Sequence, residues 1–362
     1  MSDPAGGGGV GGVAAGDGES VSRGAGGRAP FGRASVLCGL GTWVPPYVLT
    51  NEELSRLVDT SDEWIRSRTG IGQRHIADPS TATSDLGVEA GGRALKSAGS
   101  DRVDAVIVAT TTPDRPCPAT APLVAARLGL GTVPAFDVGA VCTGFLYGLA
   151  AGAGLIAAQT ADRVLVIGAE TFSRILDPED RSGRAIFGDG AGAVVLRAGN
   201  PEEPGALSAF DLGSDGNGSD LITVRTGGSR LPYATAGDEA DPYFRMSGKA
   251  VFRNAVERMA ESAHRVLART GWPGDRPDLV VAHQANLRIL HAVADRLGVP
   301  REDCFVNIDR VGNTAAASIP LALGDAAQSG ALHPGDRVLM TAFGGGLTWG
   351  ACTLSWPDVE AA

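Results

Sequence analysis

The chain has 362 residues, 43% of them hydrophobic and 20% charged, with a formal net charge of -10. That composition is globular and leaves room for one large domain or two of ordinary size. With no basic run to set against the acidic balance, nucleic acid and membrane are disfavoured as partners. The five cysteines (Cys38, Cys117, Cys142, Cys304 and Cys352) are scattered, and no pair has CxxC or zinc-ligand spacing. Such usage fits a reducing, cytoplasmic setting better than a disulfide framework, and it calls for no metal.

Residues 1–32 are Gly-rich and poor in large apolar groups, so they are expected to form a disordered tail. They lack the basic start and apolar core of a signal peptide. Beyond the tail, three segments of the first half return in order in the second. "VDAVIVATTT" from Val103 matches "PDLVVAHQAN" from Pro277. "FDVGAVCTGFLYGLAAG" from Phe136 matches "NIDRVGNTAAASIPLALG" from Asn307. "ADRVLVIGAET" from Ala161 matches "GDRVLMTAFGG" from Gly335. Each triplet reads as a buried strand, then strand–turn–apolar helix, then another buried strand.

The pattern predicts two α/β halves, 33–205 and 206–362, related by a pseudo-twofold axis, with both apolar helices packed together between two sheets. The first of these helices lies in a run of 24 uncharged residues between Asp137 and Asp162. A run of that length is enough for a membrane span. Its sparse Leu and Ile and its recurrent Gly144, Gly148 and Gly152 fit a helix covered by protein on all sides. The matching places Cys142 and Asn313 at equivalent positions, at the starts of the two central helices. It puts His283 at the end of the strand equivalent to the one ending near Ala109. Strand ends and helix starts of this kind are where α/β folds hold their sites.

Taken singly, each residue has a plain structural reading: Cys142 as a buried inert thiol, His283 as a satisfied core imidazole, Asn313 as a cap. Together they are a nucleophile and two neutral hydrogen-bond donors, a set suited to acyl transfer and then to stabilising a thioester enolate. The helix start is expected to favour the Cys142 thiolate. "FGGGLTWG", from Phe343 to Gly350, is either a plain glycine turn or a place where backbone N–H groups approach a reacting carbonyl.

These motifs, with "VDTSDEWIRSRTGIGQRHIA" and "FGDGAGAVVL", resemble in sequence and order β-ketoacyl-acyl-carrier-protein synthase III, an initiating condensing enzyme. The resemblance runs from about Ser35 to Leu354 and implies the thiolase-like fold, an α/β structure layered αβαβα. It implies that Cys142 takes an acyl group from acyl-CoA and that malonyl-carrier protein then loses CO2 and condenses with it. In that scheme His283 and Asn313 hydrogen-bond the enolate. The N–H groups of Cys142 and Gly345 form the oxyanion hole. Trp64, Arg68, Arg181 and Arg288 clasp CoA at the tunnel mouth, and Phe343 also meets the substrate. Without the resemblance, Trp64 reads as a core aromatic and the arginines as solvated surface. Arg253, Arg288 and Arg296 are expected to dock the acidic carrier protein. Acyl-CoA is a substrate, and no permanently bound cofactor is implied.

The family pairs as a homodimer through its first half. Cys117, in "TTTPDRPCPAT", matches a position that closes the neighbour's acyl pocket. The glycine loop lacks the second cysteine of a plain thiolase. Asn313 stands where elongating ketosynthases carry His and where purely acyl-transferring relatives tend to carry an acid. The remaining alternative is an acyltransferase or starter-selecting subunit of a polyketide pathway that does not condense.

Overall fold

Two mixed sheets carry the architecture of the computed structural model, which describes residues 33–362. The tail expected at 1–32 lies outside the described residues. The first sheet contains β1 (Ala34–Trp43), β2 (Ala105–Ala109), β3 (Ala135–Val138), β4 (Arg163–Glu170) and β5 (Gly190–Gly199), in the order β1-β5-β4-β2-β3. The second contains β6 (Leu207–Ser214), β7 (Leu279–Ala282), β8 (Arg337–Gly344) and β9 (Thr348–Ser355), in the order β6-β9-β8-β7. β2 runs parallel to β3 and β4, and β7 parallel to β8; the other pairs in both sheets are antiparallel. The inner strands read as continuous apolar runs because both faces of each sheet are covered; every residue of "AVIVA" in β2 is buried.

Six helices complete the layers: α1 (Asp62–Thr69), α2 (Thr83–Ser97), α3 (Gly144–Ala157), α4 (Gly248–Leu267), α5 (Leu287–Leu297) and α6 (Ser318–Gln328). α2 covers the outer face of the first sheet and α4 that of the second, while α3 and α6 lie between the sheets. This is the αβαβα layering of the thiolase-like fold. One core joins Leu146 and Leu149 of α3, Ile319 and Leu323 of α6, Val166 and Val194 of the first sheet and Met340 of the second.

The uncharged run is thus a central helix of 14 residues with its flanks. Among the described residues, no helix is long and apolar enough to cross a membrane. The glycine stripe of α3 is turned toward the first sheet rather than along α6. A Cβ on Gly148 would lie 2.9 Å from Val166 Cγ1, and one on Gly152 3.2–3.3 Å from Leu196, Val164 and Val166. The two central helices come close at their heads, where a Cβ on Gly144 would lie 3.5 Å from the Ala316 Cβ.

Hydrogen bonds fix the register of the repeat. Asp104 Oδ2 accepts from Arg163 N, and Asp278 Oδ2 from Arg337 N, both at 2.8 Å; each residue of the second pair lies 174 positions after its counterpart. The same interval relates two non-glycine residues with positive φ, Val141 at 47° and Ala315 at 45°. The counterpart of Cys142 is therefore Ala316, not Asn313 as the sequence matching placed it. His283 does correspond to Ala109. The strand expected before Asn313 is reduced to one isolated bridge, Val280 with Cys304, and Ile308–Val311 forms a helical turn instead. That turn displaces the alignment by three residues.

Candidate active site

Cys142 sits in a single tight turn, Val141–Thr143, that runs directly into α3. Val141 holds a left-handed φ of 47°, a conformation β-branched residues adopt only when the surroundings enforce it. Burial pushes the Cys142 thiol well above the ordinary range, and the nearby Glu170 carboxylate adds to this; its own backbone N–H offsets only part. Desolvation thus works against the thiolate that the helix start is expected to favour.

His283 follows β7 and is 2% exposed. Its Nδ1 lies 3.0 Å from Ser318 Oγ, which also accepts the Gln284 N–H at 2.7 Å. The serine proton has Nδ1 as its acceptor within reach, and in that arrangement the imidazole proton sits on Nε2. Burial lowers the imidazole to about 3, which keeps it a neutral donor. Asn313 is held by its own backbone: its N–H donates to Ile186 O at 2.9 Å and its carbonyl accepts from Gly188 N at 3.0 Å. Its Oδ1 accepts from Ala315 N at 2.9 Å, which leaves the amide NH2 as the donating end. Cys142, His283, Asn313 and Phe343 line one cavity of about 40 Å³. Phe187 and Phe244 form its aromatic wall, and Phe172 stacks behind Phe187 at 4.3 Å.

The glycine turn after β8 closes on the nucleophile. A Cβ on Gly344 would lie 2.9 Å from Cys142 N, and one on Gly345 3.2 Å from Val141 Cγ2. Thr348 Oγ1 ties the turn down, 3.0 Å from Gly345 O and 3.1 Å from Ala140 O. Gly344, Thr348 and Ser318 escaped the sequence reading. The "FGGGLTWG" run contains the first, and the 174-residue interval singles it out, whereas the two hydroxyls act through contacts distant in sequence.

The guanidinium groups of Arg68 and Arg181 both lie over the Trp64 ring, 5.0 and 4.9 Å from its centroid. Arg288 is exposed at the start of α5, and Asn286 before it donates to Arg68 O at 3.0 Å, so α1 and α5 meet at this cluster. Arg253 on α4 and Arg296 on α5 are exposed, and these two helices pack together. Cys117 is exposed in the loop after β2 and stands apart from the cavity that holds Cys142.

Family models for 3-oxoacyl-[acyl-carrier-protein] synthase III match residues 136–216, and for its C-terminal part residues 267–356. The chain is 66% identical to β-ketoacyl-[acyl-carrier-protein] synthase III 3 of Streptomyces coelicolor, over 91% of this chain and 99% of that protein. The chain belongs to the β-ketoacyl-acyl-carrier-protein synthase III family. It is an acyltransferase of the initiating condensing kind. The crystal structure of the Pseudomonas aeruginosa PAO1 synthase III superposes with a TM-score of 0.85 at 54% identity, covering 90% of this chain and 99% of that one. The priming β-ketosynthase from the R1128 polyketide biosynthetic pathway gives 0.84 at 35% identity, covering 92% and 99%. The two matched segments of this synthase III chain carry Cys142, His283, Asn313, Phe343 and Gly345.

Proposed function

We propose that Cys142 is the acyl carrier of a two-step condensation and that His283 and Asn313 serve its second step. The supporting observation is the shared buried cavity, with one thiol and two neutral donors facing it. In the first step Cys142 Sγ attacks the acyl-CoA carbonyl; the new S–C bond replaces the bond to CoA sulfur, and CoA leaves as its thiol. The N–H groups of Cys142 and Gly345 receive the carbonyl oxygen as its charge develops. In the second step the malonyl C–CO2 bond breaks, and its electron pair passes into an enolate on the carrier thioester. That oxygen is stabilised by His283 Nε2–H and the Asn313 amide. The enolate carbon then attacks the acyl-enzyme, the bond to Cys142 Sγ breaks, and the departing thiolate takes up a proton from solvent.

Trp64, Arg68, Arg181 and Arg288 hold the CoA end of the first substrate, where cation–π stacking has already gathered the cluster. Phe343 lines the channel beside Cys142. Arg253, Arg288 and Arg296 receive the acidic malonyl-carrier protein. The halves 33–205 and 206–362 supply the nucleophile and the donors respectively, and neither completes the site alone. The reaction needs acyl-CoA as substrate and no bound cofactor. A cytoplasmic homodimer accords with five free cysteines and with an exposed β3 edge.

The test separates the half-reactions. Cys142→Ala is expected to form no acyl adduct by intact mass. His283→Ala and Asn313→Ala should still acylate yet lose roughly 10²–10³ in CO2 release from malonyl-carrier protein. Normal release by Asn313→Ala overturns its assigned role; acylation without release in the parent favours the transferase alternative.

A further inference from the structure

Glu170 ends β4 and is 0% exposed, yet its partners among the described residues are all neutral. Oε1 accepts from Thr111 N at 3.0 Å and Oε2 from Thr112 Oγ1 at 2.7 Å, with Thr110 Oγ1 more distant at 3.4 Å. The Ala316 N–H also favours the carboxylate. A buried carboxyl group with no basic partner is costly, so its retention asks for a reason.

The repeat supplies one. At the 174-residue interval, Glu170 corresponds to Gly344 and Ala316 to Cys142. In one half, glycine leaves open the space in front of the Cys142 N–H, where the oxyanion is received. In the other, Glu170 stands at the corresponding position, bonded to Thr111 and Thr112, with the Ala316 N–H among the groups that favour its carboxylate. Ala316 lies in the turn Ala315–Ala317 that leads into α6. One neighbour, Ala315, holds the Asn313 amide through its N–H. Two residues on, Ser318 holds His283 and Gln284. β4 already presses on this turn, since a Cβ on Gly168 would lie 2.3 Å from Ala316 O.

We propose that Glu170 is a positioning residue: its carboxylate plugs the pseudo-symmetric counterpart of the oxyanion site and thereby sets the turn from which Asn313 and His283 are held opposite Cys142. It touches no substrate and acts through Ala316. The proposal rests on the condensing roles given above. The charge of Glu170 opposes ionisation of the Cys142 thiol.

The experiment uses the full chain. Glu170→Ala is expected to acylate at the parent rate or faster, because a charge opposing the thiolate is gone. It should then lose roughly 10²-fold in CO2 release, the scale of an ångström-sized misplacement. Glu170→Gln, which keeps an acceptor oxygen for Ala316, should recover most of that loss. In both variants the rise of Cys142 alkylation by iodoacetamide should move to lower pH, a shift that a merely structural role would not produce. Equal losses in both half-reactions, or unchanged CO2 release in Glu170→Ala, overturn the proposal. Should Glu170→Ala fail to fold, Glu170→Gln decides it: an alkylation profile superposed on the parent's overturns the placement. A parent that acylates but releases no CO2 overturns the condensing reading instead, and the alkylation comparison stands apart from it.

Discussion

His283 and Glu170 are both buried ionisable groups, and they load the fold with opposite pH dependence. Burial lowers His283 from 6.5 to about 3, so the stability tied to its neutral form is present above 6.5 and lost as pH falls toward 3. Burial raises Glu170 from 4.5 to about 7, so the stability tied to its protonated form is present below 4.5 and lost as pH rises through 7. Glu170→Gln removes only the second dependence. The urea midpoint of that variant, relative to the parent, should therefore be higher at about pH 8 than at about pH 5. A constant difference between the two pH values would contradict a carboxylate held against its burial. His283 was legible in the sequence because it interrupts an apolar strand end. Glu170 stood equally plainly in "VLVIGAET", but its partners come from residues 110–112 and 316, which no local pattern connects to it.

The helix α3 shows how far element-level patterning reaches. Its uncharged run, its glycine stripe and its place between two sheets were legible. What the stripe faces was not, because a helix covered on all sides carries no polar face to orient it. Two glycines of α3 now predict opposite outcomes. Gly148→Ala would force a Cβ to 2.9 Å from Val166 Cγ1, and overpacking of that kind costs about 1–3 kcal/mol. Gly154 has nothing within 4 Å of its Cβ position, so Gly154→Ala should stabilise by about 0.4–1 kcal/mol. Denaturant unfolding of the two variants measures both signs, and a loss at Gly154 would contradict this packing. The repeat is out of register at α6 in the sequence for a related reason: apolar runs align on composition, and the inserted Ile308–Val311 turn shifts composition without breaking it. The hydrogen-bonded Asp104 and Asp278 pin the register that composition leaves loose.

On the scale of the whole molecule, the first sheet ends at β3, whose outer edge is unpaired in the single chain and whose Phe136 is exposed. An open edge of this kind is a template for another strand. In the proposed homodimer, a second copy pairing there would extend the sheet and bring each Cys117 loop to its neighbour. Light scattering should then report a dimer at micromolar concentration. If Cys117 closes the neighbour's acyl pocket as the family resemblance implies, replacing it with phenylalanine should shift the kcat/KM optimum of an acyl-CoA series toward short chains. Each methylene lost from the pocket is worth up to about 0.8 kcal/mol. An active monomer, or a series untouched by Cys117→Phe, would contradict this arrangement.

The 174-residue register has a further consequence, in the currency of ancestry. Two copies of one α/β unit, fused head to tail, begin with two equal pockets facing across a shared axis. In the scheme proposed above, the acyl group carried by the thiol of one half is condensed only because the other half lends the donors for the enolate. Here the first half carries Cys142 and reads Ala109 where its twin has His283; the second carries His283 and reads Ala316 where its twin has cysteine. The halves are alike in fold, and the proposed chemistry draws on both. Because one core joins both halves, fragments divided between β5 and β6 should regain structure and condensing activity only when mixed.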